Sequence, residues 1–135
     1  MPKQYINPPE LFNSTQHGFS QVVVSKPGRL VFISGQVAWD GNKQIAHISD
    51  MEIQARKAFE NVQIAMKKAG GTLQDIVMLR LYIVHYDEVK GQAVGAVLRE
   101  FFDTETPPAS TWISVEGLAN PEFLIEIEAQ AVINE

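Results

Sequence analysis

Hydrophobic positions along the chain change period several times, and each period predicts an element. Phe19 to Ser25, with Val22-Val23-Val24 inside it, reads as a strand closed by the turn residues Lys26-Pro27-Gly28. Leu30 to Ala38 reads as a second strand ending at Asp40-Gly41-Asn42, and Gln44-Ile45-Ala46 offers a short third strand across that turn. Ser49-Asp50-Met51-Glu52 has the spacing of a capping box, in which the Ser49 hydroxyl accepts from the Glu52 N–H and the Glu52 carboxylate returns to the Ser49 N–H. Met51, Ala55, Ala58, Val62, Ala65 and Ala69 then recur at spacings of four and three, widened by Phe59 and Met66. That stripe predicts a helix stopped by Gly70-Gly71, with alanines small enough to pack closely on a sheet.

Ile76 to His85 alternates without a polar break: Val77, Leu79, Leu81 and Ile83 on one face, Met78, Arg80, Tyr82 and Val84 on the other. This predicts a strand covered on both sides. A second helix is predicted over Asp87 to Phe102, with Val89, Ala93, Val97 and Phe101 inward and Gly91 and Gly95 weakening it. After the rigid Pro107-Pro108 break come two more strands, Ala109 to Val115 and Phe123 to Ile133. The last turns Phe123, Ile125, Ile127, Ala129, Ala131 and Ile133 inward and Glu126, Glu128 and Gln130 outward. Residues 1–17, with Pro2, Pro8 and Pro9, read as an irregular lead-in.

The order β-β-(β)-α-β-α-β-β predicts an α+β fold: a single domain over 1–135, with two helices on one face of a mixed sheet. No helix remains for the other face, which would carry Arg80, Tyr82, Val84, Trp112, Leu124, Glu126 and Val132. So apolar a face predicts a partner, most simply further copies of the same chain.

Composition removes several function classes. None of the 135 residues is cysteine, so disulfides, thiol catalysis and thiolate metal sites are excluded. Eleven Lys and Arg against 16 Asp and Glu give a net charge of −5, without a basic block for a nucleic-acid backbone. No apolar run approaches the ~18 residues of a membrane span. Met1 to Tyr5 lacks the apolar core of a signal peptide, so a cytoplasmic location is expected. Gly70-Gly71 ends a helix where a phosphate cradle would open one. There is no dinucleotide fingerprint. His17, His47 and His85 lie far apart, as loop-end residues rather than metal ligands. Ser34-Gly35-Gln36 offers one hydroxyl beside a flexible backbone. Glu126 and Glu128 share a strand face, which is either a solvated edge or, under a partner, a dry site where a carboxylate works as general acid or base.

Five segments together resemble the Rid (YjgF/YER057c/UK114) family. They are Ile33-Ser34-Gly35-Gln36, Ala58-Phe59-Glu60-Asn61-Val62, Ala69-Gly70-Gly71 with Asp75-Ile76-Val77, Pro107-Pro108-Ala109-Ser110-Thr111, and Ile125-Glu126-Ile127-Glu128-Ala129. The similarity runs through residues 18–133 in the family's order. It implies a chorismate-mutase-like fold, a homotrimer, and small-molecule pockets in the clefts between subunits. Archetypal members hydrolyse 2-imino acids and their enamine tautomers to 2-keto acids and ammonia without a cofactor. Some members have been described as ribonucleases or translation inhibitors.

Carried over residue by residue, the resemblance makes Glu126 the catalytic glutamate that positions water or relays a proton. Ser34 and Gly35 match the pocket strand. Phe19 stands where archetypal members have a tyrosine, and Gly95 about where they have an asparagine. Ser110 occupies the place of the arginine that grips the substrate carboxylate, and Trp112 would fill space at the pocket mouth. Losing such a bidentate contact costs about 2–5 kcal/mol, roughly 30-fold to several thousand-fold. The expectation is a hydrolase or deaminase of a small enamine, imine or related C–N compound that is not an efficient 2-imino acid deaminase. Its rivals are a non-catalytic binding or regulatory trimer and, against the charge balance, an RNA-acting protein. Arg80 either replaces the missing cation or pairs with Glu126 or Glu128 across the sheet.

Overall fold

The computed structural model describes residues 3–45 and 49–135. In chain order these form β1 (Lys3–Ile6), β2 (Val22–Ser25), β3 (Arg29–Gln36), α1 (Met51–Lys68), β4 (Ile76–Val84), α2 (Glu88–Phe101), β5 (Ala109–Val115) and β6 (Ile125–Ile133). Short 3₁₀ turns precede β2 (Thr15–His17) and β4 (Leu73–Asp75). The main sheet runs β3-β6-β4-β5, with β4 and β5 parallel and the other pairs antiparallel. Both helices pack on one face, giving the α+β arrangement that the pattern predicts.

The core lies between that face and the helices. Ala55, Ala58, Phe59 and Val62 of α1 are fully buried over Leu79, Leu81, Ile125 and Ile127. Phe59 stacks on Phe101 at 5.5 Å and meets Phe102 edge-on at 5.8 Å, joining the helices. Truncating so buried a phenylalanine costs about 3–5 kcal/mol. Gln54 is the polar member of this layer: its amide donates to the Glu122 carbonyl and accepts from the Leu124 N–H, each at 2.9 Å.

Several local expectations change. The lead-in contains β1, paired with β2 from Lys3↔Ser25 to Ile6↔Val22. The Lys3 ammonium anchors it, donating to the Val132 carbonyl at 2.9 Å and to Asn134 Oδ1 at 2.8 Å. The first predicted strand starts at Val22 instead of Phe19, and the second ends at Gln36 after an extra residue between Ile33 and Gln36. Gln44 and Ile45 are not in a strand, and Ala46 lies outside the described residues, as does His47. Instead Asp40 Oδ1 accepts from the Asn42 and Gln44 N–H groups at 2.8 and 3.0 Å and closes a turn. The N-cap of α1 is Asp50, not Ser49; its carboxylate accepts from the Ile53 N–H at 3.0 Å. Glu52 is thereby free to face Arg56, 3.7 Å away. Gly70, at φ +92°, ends the helix as the sequence predicts.

The inward face of α2 is rotated from the predicted one. Val89 is 76% exposed, whereas Gly91, Val94, Gly95, Val97 and Leu98 are buried. On β4, a register shift between Ile76 and Met78 puts Ile76 in the core and leaves Val77 half-buried. The opposite sheet face carries Arg80, Tyr82, Glu126 and Glu128, with Leu30 67% and Phe32 70% exposed, and no layer formed by the described residues covers it. Trp112 is not on that face. It pairs in register with the core residue Leu81 and so points to the helix side. Leu124 precedes β6 and packs against the core.

Candidate functional site

Two clefts hold all but Ser34 of the site residues singled out in the sequence, one toward each edge of the main sheet. The first lies where α2 passes the outer strand β5. Ser20 ties the N-terminal segment to that edge: its N–H donates to the Pro108 carbonyl at 3.0 Å and its hydroxyl to the Pro107 carbonyl at 2.5 Å. This carries Phe12, His17 and Phe19 over β5, with Phe12 edge-on to Phe19 at 6.1 Å. On the other side His85 takes φ +47° and the Tyr86 N–H donates to Ser114 Oγ at 3.1 Å, which sets the Tyr86 ring 6.5 Å from Trp112. The Trp112 indole N–H donates to Ser110 Oγ at 2.9 Å, so this hydroxyl braces the ring. Phe19, Ser110 and Trp112 therefore meet in one cleft of about 770 Å³, floored by Gly91 and Gly95 and holding Glu88 and Arg99 at its rim.

The second cleft, of about 680 Å³, lies by the outer strand β3 and contains Gly35 and Glu126. The extra residue in β3 brings Gly35 onto β6, and a Cβ there would overlap the Glu126 carboxylate. Asn61 donates to the Val37 and Trp39 carbonyls, each at 2.8 Å, and holds the chain beyond β3 against α1. Trp39 packs edge-on against Phe123 at 4.8 Å. The Glu126 carboxylate is half-buried and makes no hydrogen bond or ion pair among the described residues. Its neighbour Glu128 accepts the Tyr82 hydroxyl proton and lies 4.0 Å from Arg80. That hydrogen bond, then burial, then the Glu128 charge hold the Tyr82 phenol above its ordinary value of 10.0.

The sequence-predicted site is thus divided. Phe19, Ser110 and Trp112 come together; Gly35 and Glu126 come together; Ser34 is exposed and lines neither cleft. Glu126 is on β6 and Ser110 and Trp112 are on β5, with β4 between them, about 10 Å at usual strand spacing, and the Glu126 and Trp112 side chains lie on opposite faces of the sheet. Arg80 reaches neither cleft and is the cross-sheet partner of Glu128. The cation that lines the Ser110 cleft is Arg99, which sequence reading passes over together with Phe12 and Tyr86. Its signal is nevertheless present: Glu88, Gly91, Gly95 and Arg99 recur at helical spacing on one side of α2. Among the described residues no group of three or more His, Asp or Glu is placed to hold a metal ion, and no helix is long and apolar enough to cross a membrane.

Comparison with known proteins adds four findings. A family profile described as Endoribonuclease L-PSP matches residues 12–133. The chain is 30% identical over 110 residues to 3-aminoacrylate deaminase RutC of Acinetobacter baylyi, covering 82% of this chain and 84% of that protein. The crystal structure of YyfB from Yersinia pestis, a Rid-family protein of unknown function, superposes with a TM-score of 0.92 at 36% identity, over 98% of this chain and all of that one. Escherichia coli TdcF with bound serine gives a TM-score of 0.69 at 29% identity, over 81% and 84% of the two chains.

Proposed function

The chain belongs to the Rid (YjgF/YER057c/UK114) family, and from that premise we propose that it is a deaminase-type hydrolase of a small reactive enamine or imine, acting in pockets shared between the copies of a homotrimer. The observation that carries the proposal is the division of the site. Ser110 and Trp112 stand on the helix side of the edge strand β5, while Glu126, a carboxylate with no hydrogen bond or ion pair among the described residues, stands on the opposite face of β6. A neighbouring copy seated on the helix-free face unites two halves that one chain keeps apart, and it covers Leu30 and Phe32. RutC is a 3-aminoacrylate deaminase by name. Its substrate is an enamine, the C–N class proposed here.

In the proposed reaction Glu126 accepts a proton from a water molecule as its oxygen bonds to the imine carbon. The carbinolamine formed then breaks its C–N bond. Glu126 delivers the water proton to nitrogen as the carbinolamine forms, then takes the carbinolamine hydroxyl proton and passes it to nitrogen too, so nitrogen leaves as ammonia and a carbonyl remains. Gly35 gives the carboxylate room to lie on the backbone, and burial under the neighbouring copy favours its protonated form during the transfer.

The test is hydrolysis of 2-iminopropionate, generated in situ by a serine/threonine dehydratase, followed as keto-acid release. Wild type is expected to be slow on this small imino acid because Ser110 cannot form the arginine fork, and Ser110→Arg is expected to accelerate it. Glu126→Gln should remove at least about 100-fold of any imine- or enamine-hydrolysing activity of the wild type. Unchanged rates in Glu126→Gln sink the assignment. The second reading, a binding trimer without catalysis, draws on the engagement of the Ser110 hydroxyl by Trp112. It predicts ligand-induced thermal stabilisation without turnover.

A further inference from the structure

The chain has four arginines, and three of them face carboxylates: Arg29 with Glu135, Arg56 with Glu52 and Glu100, Arg80 with Glu128. The fourth, Arg99, makes no hydrogen bond or ion pair among the described residues. It is also the arginine that lines the Ser110–Trp112 cleft. Gly95 stands one helical turn before it. The Arg99 Nη1 lies 3.5 Å from the point where a Cβ on Gly95 would stand, and the rim of the Trp112 ring lies 3.8 Å from the same point. The guanidinium and the indole therefore flank one bare patch of helix that almost any side chain at position 95 would fill.

The geometry points to Arg99 as the anion-binding group of this cleft, and to a monocarboxylate with a flat, apolar or conjugated body as its ligand class. A free guanidinium presents planar paired donors that match a carboxylate bidentately. The body of the ligand then runs along the Trp112 ring, which Ser110 holds in place, toward Tyr86. Glu88 lines the far end of the cleft, eleven residues earlier on α2 and about 16 Å away along the axis. Arg99 is the single cation lining the cleft among the described residues, so the cleft offers one anionic seat. The carboxylate anchor is thus moved from the β5 position of Ser110 to the facing helix, which makes room for a longer ligand than pyruvate-sized acids. This inference rests on the deaminase reading only for the reactive C–N group of the ligand; the carboxylate grip is tested separately.

The test is calorimetric titration of the full chain with 3-phenylpropionate and with its neutral counterpart, 3-phenylpropanamide. Wild type is expected to bind the acid at least about tenfold more tightly than the amide, and Arg99→Gln to weaken the acid about 10- to 100-fold while leaving the amide unchanged. Should Arg99→Gln fail to fold, Arg99→Lys carries the same test, with an expected loss of about threefold to tenfold because the fork is gone and the charge remains. Equal binding of acid and amide, no binding of either, or acid affinity unchanged in the variants overturns the inference. Arg99-dependent acid binding without turnover of any imine or enamine overturns the deaminase reading alone. Imine hydrolysis indifferent to Arg99 overturns this inference alone.

Discussion

Glu126 and Glu128 lie two positions apart on the same strand face, yet they differ in company. Glu128 accepts from the Tyr82 hydroxyl and stands near Arg80, while Glu126 rests on the Gly35 backbone with no hydrogen bond or ion pair among the described residues. Glu128→Gln removes the anionic acceptor, so the Tyr82 phenol is expected to titrate lower, back toward 10.0, in an ultraviolet pH titration. An unmoved titration would mean that the hydrogen bond does not set it. The sign for stability follows from the raised value: the contribution is complete below the unfolded value and is lost as pH rises through the folded one. At this scale the family resemblance assigns Phe19, Ser34, Gly35, Ser110, Trp112 and Glu126 to one pocket, whereas a single chain gathers Phe19, Ser110 and Trp112 in one cleft and Gly35 with Glu126 in another, and leaves Ser34 outside both. Sequence reading missed Arg99 because the role of that residue depends on what is absent at Gly95 and on Trp112 facing the helix. Strand parity assigns Arg80 to Glu128, which no spacing along β4 alone could decide.

Elements were legible where periodicity was long and blurred where a single hydrogen bond decides an end. The stripe from Met51 to Ala69 gave α1 nearly to the residue, but Ser49 and Asp50 are both good caps and only the folded backbone selects between them. Asp50→Ala is expected to cost about 1 kcal/mol in denaturant unfolding, and Ser49→Ala close to nothing. The reverse ranking would restore the capping box that begins at Ser49. β1 was invisible because four residues beside Pro8-Pro9 carry too short a pattern; its partner β2 and the Lys3 contacts to the last strand hold it. On α2 Gly91 marks a close approach rather than a weakness. At Gly91 a Cβ would overlap the Tyr86 ring, and this draws the helix face away from the Val89 side.

For the molecule as a whole, the main unbalanced quantity is the helix-free face of the sheet. Phe32, 70% exposed, and Leu30, 67% exposed, project from β3 beside the Glu126 cleft. Burying two such side chains contributes about 1.5–3 kcal/mol each. Phe32→Glu is therefore expected to shift the chain to a monomer in light scattering, with its circular dichroism retained. An unchanged oligomer would locate the interface elsewhere. The α+β class and the unpaired face could be read from the order and polarity of the strands. The division of the site could not, because strand order within a sheet is set by long-range pairing and not by sequence order.

That division has a genetic consequence. In the proposed homotrimer, residues on opposite faces of one sheet contribute separately to a shared pocket, so two inactive chains can supply what the other lacks. Glu126→Gln keeps the α2–β5 half intact, and Trp112→Ala keeps the Glu126 half. When equal amounts are unfolded and reassembled together, random association gives about one quarter of the pockets two undamaged halves. Activity should then return in the mixture although each variant alone is inert. A pocket made within one chain would stay silent at every mixing ratio.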